Sequence, residues 1–236
     1  MSNLRLFHLD NIIENTTSLL SKEHTHYVVN VMRLKRGSNL NFFNKSGEWL
    51  SEIVFLDRDR VEVKFLDKIK EPTNTSNIEL AICLVKKTPM ETILQKATEL
   101  GVSKIVPIIS DRTEIKELNF ERANKIVIEA TEQSNQMSPP EISKVTKLKN
   151  YIEALESKIL FFADVNSSRK LEPKNFNAGI TNCILIGPEG DFSPSEREHI
   201  LKKSTVIPFS LSKNILRTDT AVISAISLVN FINNNH

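Results

Sequence analysis

The chain has 236 residues, long enough for one or two domains, and 40% of them are hydrophobic while 25% are charged, as in ordinary globular proteins. No apolar run approaches the roughly 18 residues of a transmembrane helix. The net charge of +2 does not indicate a nucleic-acid binder, because residues 1–70 carry 11 Lys/Arg against 9 Asp/Glu and residues 71–236 carry 20 of each.

The cysteines, Cys83 and Cys183, both lie inside apolar runs. We interpret them as buried thiols of a protein in the reducing cytoplasm. Neither has the Cys or His spacing of a zinc site, so no metal is expected. The first residues contain no signal-peptide core, and we expect no membrane partner.

The first 70 residues are rich in strand patterns. A short helix is predicted over 21–34, ahead of three strands. The last strand alternates apolar and charged residues, which is typical of a strand with one buried face. Polar turn sequences at 44–47 and 57–59 connect the strands as hairpins. The predicted strands are 40–43, 49–56 and 60–66.

The stretch 71–77 is polar and contains Pro72, which is typical of a linker. We therefore predict a first domain over 1–70 and a second domain over 78–236, where the periodicity changes. No internal repeat connects the two parts of the chain.

Strand and helix patterns alternate after the linker. Thr88 has the position of an N-cap, followed by Pro89 and Glu91 in the first turn. Gly101 ends that helix, and 193–196 forms a second capping box. This alternation predicts an α/β fold with a mostly parallel sheet covered on both faces. The predicted strands are 78–85, 104–109, 159–163, 183–186 and 206–211, and the predicted helices are 88–100, 119–136, 147–156, one beginning at 193, and 218–232.

The six glycines exclude the common nucleotide-binding motifs. They stand at 37, 47, 101, 179, 187 and 190, so neither a GxGxxG fingerprint nor a phosphate-binding P-loop can be built from them. The glycine-rich loop of the commonest methyltransferase fold is absent as well. No GxSxG hydrolase elbow occurs.

Two loops carry the strongest functional signal. The sequence Gly-Pro-Glu-Gly at 187–190 follows one predicted strand, and 211–221 follows the next. Loops at the carboxyl ends of parallel strands border the ligand crevice of α/β sheets. Glycine permits close approach of the backbone to a ligand, and Pro188 stiffens the loop. A tight turn without a ligand is the alternative interpretation.

Arg217 stands immediately before the last predicted helix, for which Thr218 is the predicted N-cap. Its positive charge gains nothing from the positive end of a helix dipole. An anionic or carbonyl-bearing ligand would explain the arginine, and a solvated loop residue is the alternative.

In their order and spacing these motifs resemble the SPOUT methyltransferases, and most closely the RsmE family, whose members methylate N3 of a uridine in 16S ribosomal RNA. The resemblance covers nearly the whole chain. It includes both loops, residues 96–102 with Pro107, and residues 129–134 with 139–140. In the first domain it includes His26, 31–34 and Gly37.

The resemblance implies a deep trefoil knot in the second domain, a small PUA-like β-barrel in the first, and a homodimer formed through the last helix. Elementary topology rules predict an unknotted sheet, because connections almost never thread loops. The implied cofactor is S-adenosylmethionine. The residues expected to bind it are Phe162, Ala163, Ile186, Gly187, Pro188, Glu189, Gly190, Leu211, Ser212, Ile215, Leu216, Thr218, Thr220 and Ala221.

The implied partner is 16S rRNA or the small ribosomal subunit. Arg217 is expected to hold the uracil, with Glu189 or Asp219 as the base that takes the N3 proton. Phosphate contacts would give affinity without reading the sequence. The residues expected to face RNA are Arg33, Lys35, Arg36, Lys86, Arg112 and Gln133.

The chain departs from the family pattern in both loops. Asp191 replaces the last glycine of GPEGG, Ser212 replaces a glycine, and Asp219 replaces a glutamate. Gln136 replaces a frequent arginine. Two other functions stay open: ribose 2′-O-methylation by a related SPOUT enzyme, and RNA binding without catalysis.

Overall fold

The computed structural model describes residues 4–72, 77–156, 158–177 and 179–234. Its internal contacts divide the chain into two units, Met1–Thr75 with Thr131–Ser138 and Ser76–Ala130 with Pro139–His236. We call these unit 1 and unit 2. Residues 73–76 of the predicted linker lie outside the described residues.

Unit 1 contains a five-stranded sheet in the order β1-β3-β4-β5-β2. The three predicted strands and both hairpin turns are confirmed. Two further strands were not predicted, because three residues are too few to show an alternating pattern. They join the sheet through distant partners, β1 beside β3 and β2 beside β5. The strands are β1 (Arg5–Phe7), β2 (Thr17–Leu19), β3 (Asn39–Asn44), β4 (Gly47–Leu56) and β5 (Val61–Lys70).

The predicted helix at 21–34 is shorter and changes type. Helix α1 covers Lys22–His26 and continues as a π-helical turn over Tyr27–Val31. The Ser21 hydroxyl caps the start by accepting the N–H of His24 at 3.1 Å. Arg33 then adopts a φ of 53°, a left-handed conformation that ends the helix. Such π-helical turns occur frequently at functional sites.

The segment Thr131–Ser138 belongs to unit 1 through a buried arginine. The Arg5 guanidinium donates to the carbonyl oxygens of Thr131 at 3.2 Å and Gln136 at 2.6 Å. The Glu132 carboxylate accepts the N–H of Phe7 at 2.9 Å. These contacts tie the segment Thr131–Ser138 to β1. Part of the motif at 129–134 is therefore explained by packing inside unit 1.

The sheet of unit 2 confirms the predicted α/β class. Its strands follow the order β12-β10-β11-β6-β7-β8, with β9 also beside β7, and every pairing is parallel. The two-residue strands β8 and β9 were not predicted. The strands are β6 (Ile78–Cys83), β7 (Lys104–Ile109), β8 (Glu141–Ile142), β9 (Thr146–Lys147), β10 (Ile159–Ala163), β11 (Asn182–Ile186) and β12 (Val206–Phe209).

Helices cover both faces of this sheet. Along β6, Leu80 faces a core that includes residues of α2, α3 and α6, while Ala81 faces a core that includes residues of α4 and α5. Because both faces are buried, the strands read as continuous apolar runs. The helices are α2 (Lys87–Glu99), α3 (Phe120–Gln133), α4 (Leu148–Glu153), α5 (Pro194–Leu201) and α6 (Thr218–Asn234).

Some helix ends differ from the predictions. Helix α2 begins at Lys87, so Thr88 lies inside the first turn and Lys86 is a cap without a side-chain hydrogen bond. Helix α3 ends at Gln133, and Asn135 follows in a left-handed conformation with φ 58°. The capping box of α5 is confirmed, with both reciprocal hydrogen bonds present. Among the described helices, none is long and apolar enough to cross a membrane.

Candidate active site

Three neighbouring parallel strands of unit 2 end side by side. Ala163 of β10 stands opposite Phe209 of β12, and Phe162 stands opposite Leu185 of β11. The loops that leave these strands therefore start from one edge of the sheet. This is the edge where α/β proteins bind ligands. The structure thus brings the two predicted loops together and adds a third, which follows β10.

The loop after β11, residues 187–191, lies against an aromatic pair. A Cβ on Gly187 would come within 3.0 Å of the Phe192 ring, so the position requires glycine unless that ring moves. Phe192 is buried and meets the Phe162 ring edge-on, with 5.6 Å between the centroids. Phe162, an expected cofactor residue, has a fully buried side chain that supports this pair.

The same loop shows how Asp191 replaces a glycine. Asp191 has a φ of 58°, in the left-handed region that glycine adopts readily and that aspartate tolerates better than most residues. Its carboxylate accepts the N–H of Phe192 at 2.8 Å, and its own N–H donates to the carbonyl of Pro188 at 2.9 Å. The departure from GPEGG therefore preserves a compact turn.

The loop after β12, residues 210–217, is held mainly by short-range hydrogen bonds. The N–H of Ser210 donates to the carbonyl of Arg169 at 2.8 Å, and the Ser212 hydroxyl accepts the N–H of Asn214 at 3.0 Å. Ser212, expected to be glycine from the family pattern, thus forms a local turn. Ile215 is 92% exposed at the far part of the loop.

Arg217 precedes α6 as predicted, but Thr218 is the first helical residue and not the N-cap. Thr218 is buried, and the carbonyl of Arg217 already accepts the N–H of Ala221 at 2.8 Å. The Arg217 side chain is exposed, and no described residue forms an ion pair with it. Its guanidinium therefore has donors available for a ligand with carbonyl oxygens.

The two candidate bases differ in their surroundings. Glu189 is exposed in the loop after β11. Asp219 lies in the first turn of α6, where its carboxylate accepts the N–H of Thr220 at 2.9 Å. Within the described residues, no cluster of three His, Cys, Asp or Glu side chains is arranged to hold a metal ion.

An ion pair at this edge was missed by the sequence analysis. Asp164 follows β10, is 3% exposed, and accepts hydrogen bonds from Arg197 of α5, the shortest at 2.7 Å. Burial alone would raise the pKa of Asp164, but hydrogen bonds from Arg197 and Asn166 outweigh it and hold this pKa below its usual value. The partners are 33 residues apart, so no local motif indicates the pair.

The expected RNA residues occupy different settings. Arg33, Lys35 and Arg36 are exposed in unit 1 directly after the π-helical turn, and Gln133 is exposed at the end of α3. Lys86 is exposed between β6 and α2 in unit 2. The sixth, Arg112, donates from Nη1 to the carbonyl of Gly190 at 2.8 Å.

Comparison with known families identifies the class of protein that carries this candidate site. A family model described as RNA methyltransferase domain matches residues 71–230, and one described as RNA methyltransferase PUA domain matches residues 20–66. The protein is thus built as an RNA methyltransferase with a PUA domain in its N-terminal part.

Among curated relatives, the ribosomal RNA small subunit methyltransferase E of Rickettsia conorii is 33% identical, covering 97% of this chain and 95% of the relative. The protein of the same name from Aquifex aeolicus is 30% identical, covering 97% of this chain and all of its own length. The chain belongs to this methyltransferase E family, RsmE, which confirms the resemblance found in the sequence.

Solved structures agree. A methyltransferase of Legionella pneumophila, in complex with S-adenosylmethionine, superposes with a TM-score of 0.86 at 26% identity. The methyltransferase E of Neisseria gonorrhoeae, also bound to S-adenosylmethionine, superposes with a TM-score of 0.85 at 25% identity. Each comparison covers 98% of both chains.

Proposed function

We propose that the protein transfers the methyl group of S-adenosylmethionine to N3 of a specific uridine in 16S ribosomal RNA. One observation carries the proposal: the two motif loops of the RsmE family leave β11 and β12, the parallel strands on either side of β10, at one ligand-binding edge. Curated relatives over nearly the whole chain are named ribosomal RNA small subunit methyltransferase E. Two structures of the same fold were solved with S-adenosylmethionine bound.

The residues at this edge fit such a cofactor. Gly187 has no Cβ and Pro188 restricts the backbone, so the loop after β11 offers peptide groups in fixed positions. Bound S-adenosylmethionine supplies an electrophilic methyl group. We assign its binding to the ends of β10 and β11, to both loops and to the first turn of α6, with Phe162 acting by packing. The residues are Phe162, Ala163, Ile186, Gly187, Pro188, Glu189, Gly190, Leu211, Ser212, Ile215, Leu216, Thr218, Thr220 and Ala221.

The remaining work of the protein is to position uracil and to accept its proton. N3 lies on the pairing edge of the base, so the uridine must be unpaired or flipped out, which costs a few kcal/mol. Arg217 holds the carbonyl oxygens beside N3 as negative charge develops. Glu189 or Asp219 accepts the N3 proton. Orientation of the reacting groups supplies about 7–11 kcal/mol of the rate enhancement.

The first domain, proposed as 1–70, would bind the RNA backbone. The match to a PUA domain supports this role, as do the exposed Arg33, Lys35 and Arg36 beside the π-helical turn. Lys86 and Gln133 are assigned to the same substrate. Replacing Lys35 and Arg36 by Gln should weaken RNA binding and lower the slope of log K against log salt by about 1 per lost phosphate contact.

A matched control for that double variant replaces Lys45 and Arg58, which are also exposed basic residues of unit 1. The control removes the same charge, so it should leave the salt slope and the affinity nearly unchanged. Equal losses in the two double variants would contradict a localised RNA surface.

The knot is a further part of the proposal. Membership of the RsmE family supports it, because the resemblance to that family implies a knotted second domain. Pulling the ends of a single molecule in an optical trap tests this. A knotted chain stops short of the contour length of 236 residues, whereas an unknotted chain reaches it.

A homodimer is proposed as well. Helix α6 is apolar on several sides, with Ile223 and Leu228 partly exposed, and Ile215 is 92% exposed in the neighbouring loop. Apolar surface of this kind marks interaction sites. Light scattering should give twice the chain mass of 26.8 kDa. A monomer at micromolar concentration would contradict the dimer.

The test of function uses the purified protein, S-adenosylmethionine and small ribosomal subunits from cells that lack the enzyme. Mass spectrometry of the digested rRNA should find one new N3-methyluridine. Ribose methylation would favour the related SPOUT activity, and absence of cofactor binding would favour a non-catalytic RNA-binding factor. Cytoplasmic location is expected, because both cysteines are buried free thiols.

A further inference from the structure

The loop after β7 contacts the proposed cofactor loop. Arg112 Nη1 donates to the carbonyl of Gly190 at 2.8 Å. The aliphatic part of Arg112 also runs alongside this glycine, because a Cβ on Gly190 would lie 3.7 Å from both Cβ and Cδ of Arg112. A hydrogen bond and a close approach of the side-chain stem therefore join residues that are 78 positions apart.

The peptide group that Arg112 contacts forms hydrogen bonds through both its oxygen and its N–H. Its carbonyl is that of Gly190, and its N–H, which belongs to Asp191, donates to the carbonyl of Pro188 at 2.9 Å. A peptide group is planar, so fixing both its oxygen and its hydrogen fixes its orientation. The adjoining backbone groups of the cofactor loop inherit that orientation.

A second set of contacts ties the neighbouring residue, Asp111, to the start of α5. The N–H of Asp111 donates to Glu196 Oε1 at 2.8 Å, and the Ser193 hydroxyl donates to Asp111 Oδ2 at 2.7 Å. Glu196 Oε2 also accepts the N–H of Ser193 at 2.9 Å. Thus the capping box of α5, which follows the cofactor loop, is joined to the β7 loop.

The β7 loop is itself held rigidly. Ser110 and Thr113 are buried, and their hydroxyl oxygens lie 2.8 Å apart. The N–H of Ser110 donates to the Thr113 hydroxyl at 3.0 Å. Arg112 therefore projects from a firm base, which allows it to hold the loop 187–191.

We infer that Arg112 is a positioning residue that holds the loop 187–191 in the conformation that binds S-adenosylmethionine. This inference rests on the proposed assignment of that loop to the cofactor. A loop that is ordered before binding does not lose conformational freedom upon binding, so preorganisation raises affinity without a direct contact. Arg112 thereby acts on the cofactor and not on the RNA phosphates.

Arg112→Met tests the inference, because methionine keeps an apolar stem on Gly190 and removes the donor. We expect the dissociation constant for S-adenosylmethionine, measured by calorimetry, to rise about tenfold, as for one lost charged hydrogen bond. KM for the ribosomal subunit should stay unchanged. Arg112→Lys, which retains a donor and a stem, should recover most of the affinity. Lys116→Ala, an exposed charge in the following segment, is the matched control and should change neither value.

The outcomes are distinguishable. If the unmodified protein fails to bind S-adenosylmethionine, the proposed function fails. If it binds and Arg112→Met binds equally well, the positioning role is overturned. A raised KM for the subunit with unchanged cofactor affinity would also overturn it and would assign Arg112 to RNA. Melting temperatures without cofactor confirm that each variant is folded, as expected for an exposed side chain.

Discussion

The two loops of the proposed cofactor site are supported in different ways. Residues 187–191 lie on the Phe192 ring and receive a hydrogen bond from Arg112, so distant parts of the chain hold them. Residues 210–217 are held by short-range turns and by one contact to Arg169, and they expose Ile215. Long-range contacts therefore fix the conformation of the first loop. The second contributes Leu211, Ser212, Ile215 and Leu216 to the same proposed cofactor site, and it also presents Arg217, whose proposed partner is uracil.

This difference suits the different roles proposed for the two loops. A preformed loop suits a cofactor that binds in every cycle, because little order has to be created on binding. An exposed arginine suits a substrate that must be flipped out and released. Each prediction below perturbs one of the loops, or the third loop between them, and asks whether the effect appears in cofactor affinity, turnover or stability.

The largest effect is expected for Arg217→Ala in the second loop. Loss of a group that stabilises developing charge lowers turnover by about 10²–10³-fold. Cofactor affinity should be unchanged, because the first loop is intact. Single-turnover methylation and calorimetry measure the two quantities. Lys213→Ala, an exposed charge in the same loop, is the control. Turnover that survives Arg217→Ala would remove this residue from catalysis.

Gly187→Ala tests the first loop directly. The new methyl group would meet the Phe192 ring at 3.0 Å, so the free energy of unfolding should fall by about 1–3 kcal/mol. Cofactor affinity should fall with it. Denaturant unfolding and calorimetry provide the measurements. Adding Phe192→Leu, which removes ring atoms, should restore part of the loss, and strict additivity of the two changes would argue against the clash.

Asp164→Asn tests the third loop, which follows β10. The Arg169 carbonyl of this loop accepts the N–H of Ser210 at the start of the second loop. Weakening the charged hydrogen bonds to Arg197 should lower the free energy of unfolding by about 2 kcal/mol at neutral pH. The pKa of Asp164 is lowered in the folded protein, so its contribution is present above the unfolded value of about 3.9 and is lost as pH falls through the folded pKa. The stability difference between the two proteins should therefore shrink as the pH falls below about 3.9; a difference that stays constant from pH 7 into this acid range would contradict the assignment.

The smallest effect is expected for Asp191→Gly. Glycine removes the strain of a left-handed residue but also removes the carboxylate that accepts the N–H of Phe192. The two changes oppose each other, so stability should shift by less than about 1 kcal/mol. Asp191→Ala keeps the strain without the hydrogen bond and should cost about 1–2 kcal/mol. Equal melting temperatures for Asp191→Ala and Asp191→Gly in thermal unfolding would contradict this expectation.

Much of the fold could be predicted because its signals are local. The capping box formed by Ser193 and Glu196 spans four residues of sequence, and α5 begins within it. The alternation of 60–66 is likewise contained in its own strand, β5. Thr88 and Thr218 were predicted as N-caps, but both lie inside the first turn of their helices, so the predicted helix starts differ slightly from the observed ones. Strands of two or three residues could not be predicted, because only their pairing with strands distant in sequence defines them.

The α/β class of unit 2, the β-rich character of unit 1 and the two loops that indicate a ligand site follow from the amino-acid sequence. Periodicity and helix caps depend on residues a few positions apart, so they can be recognised in a single sequence. The arrangement of β12, β10 and β11 as neighbours, the pairing of Asp164 with Arg197 and the hydrogen bond from Arg112 to Gly190 appear only in the tertiary structure. Those contacts join residues as many as 78 positions apart, and it is the packing of the whole sheet, not any local pattern, that brings them together.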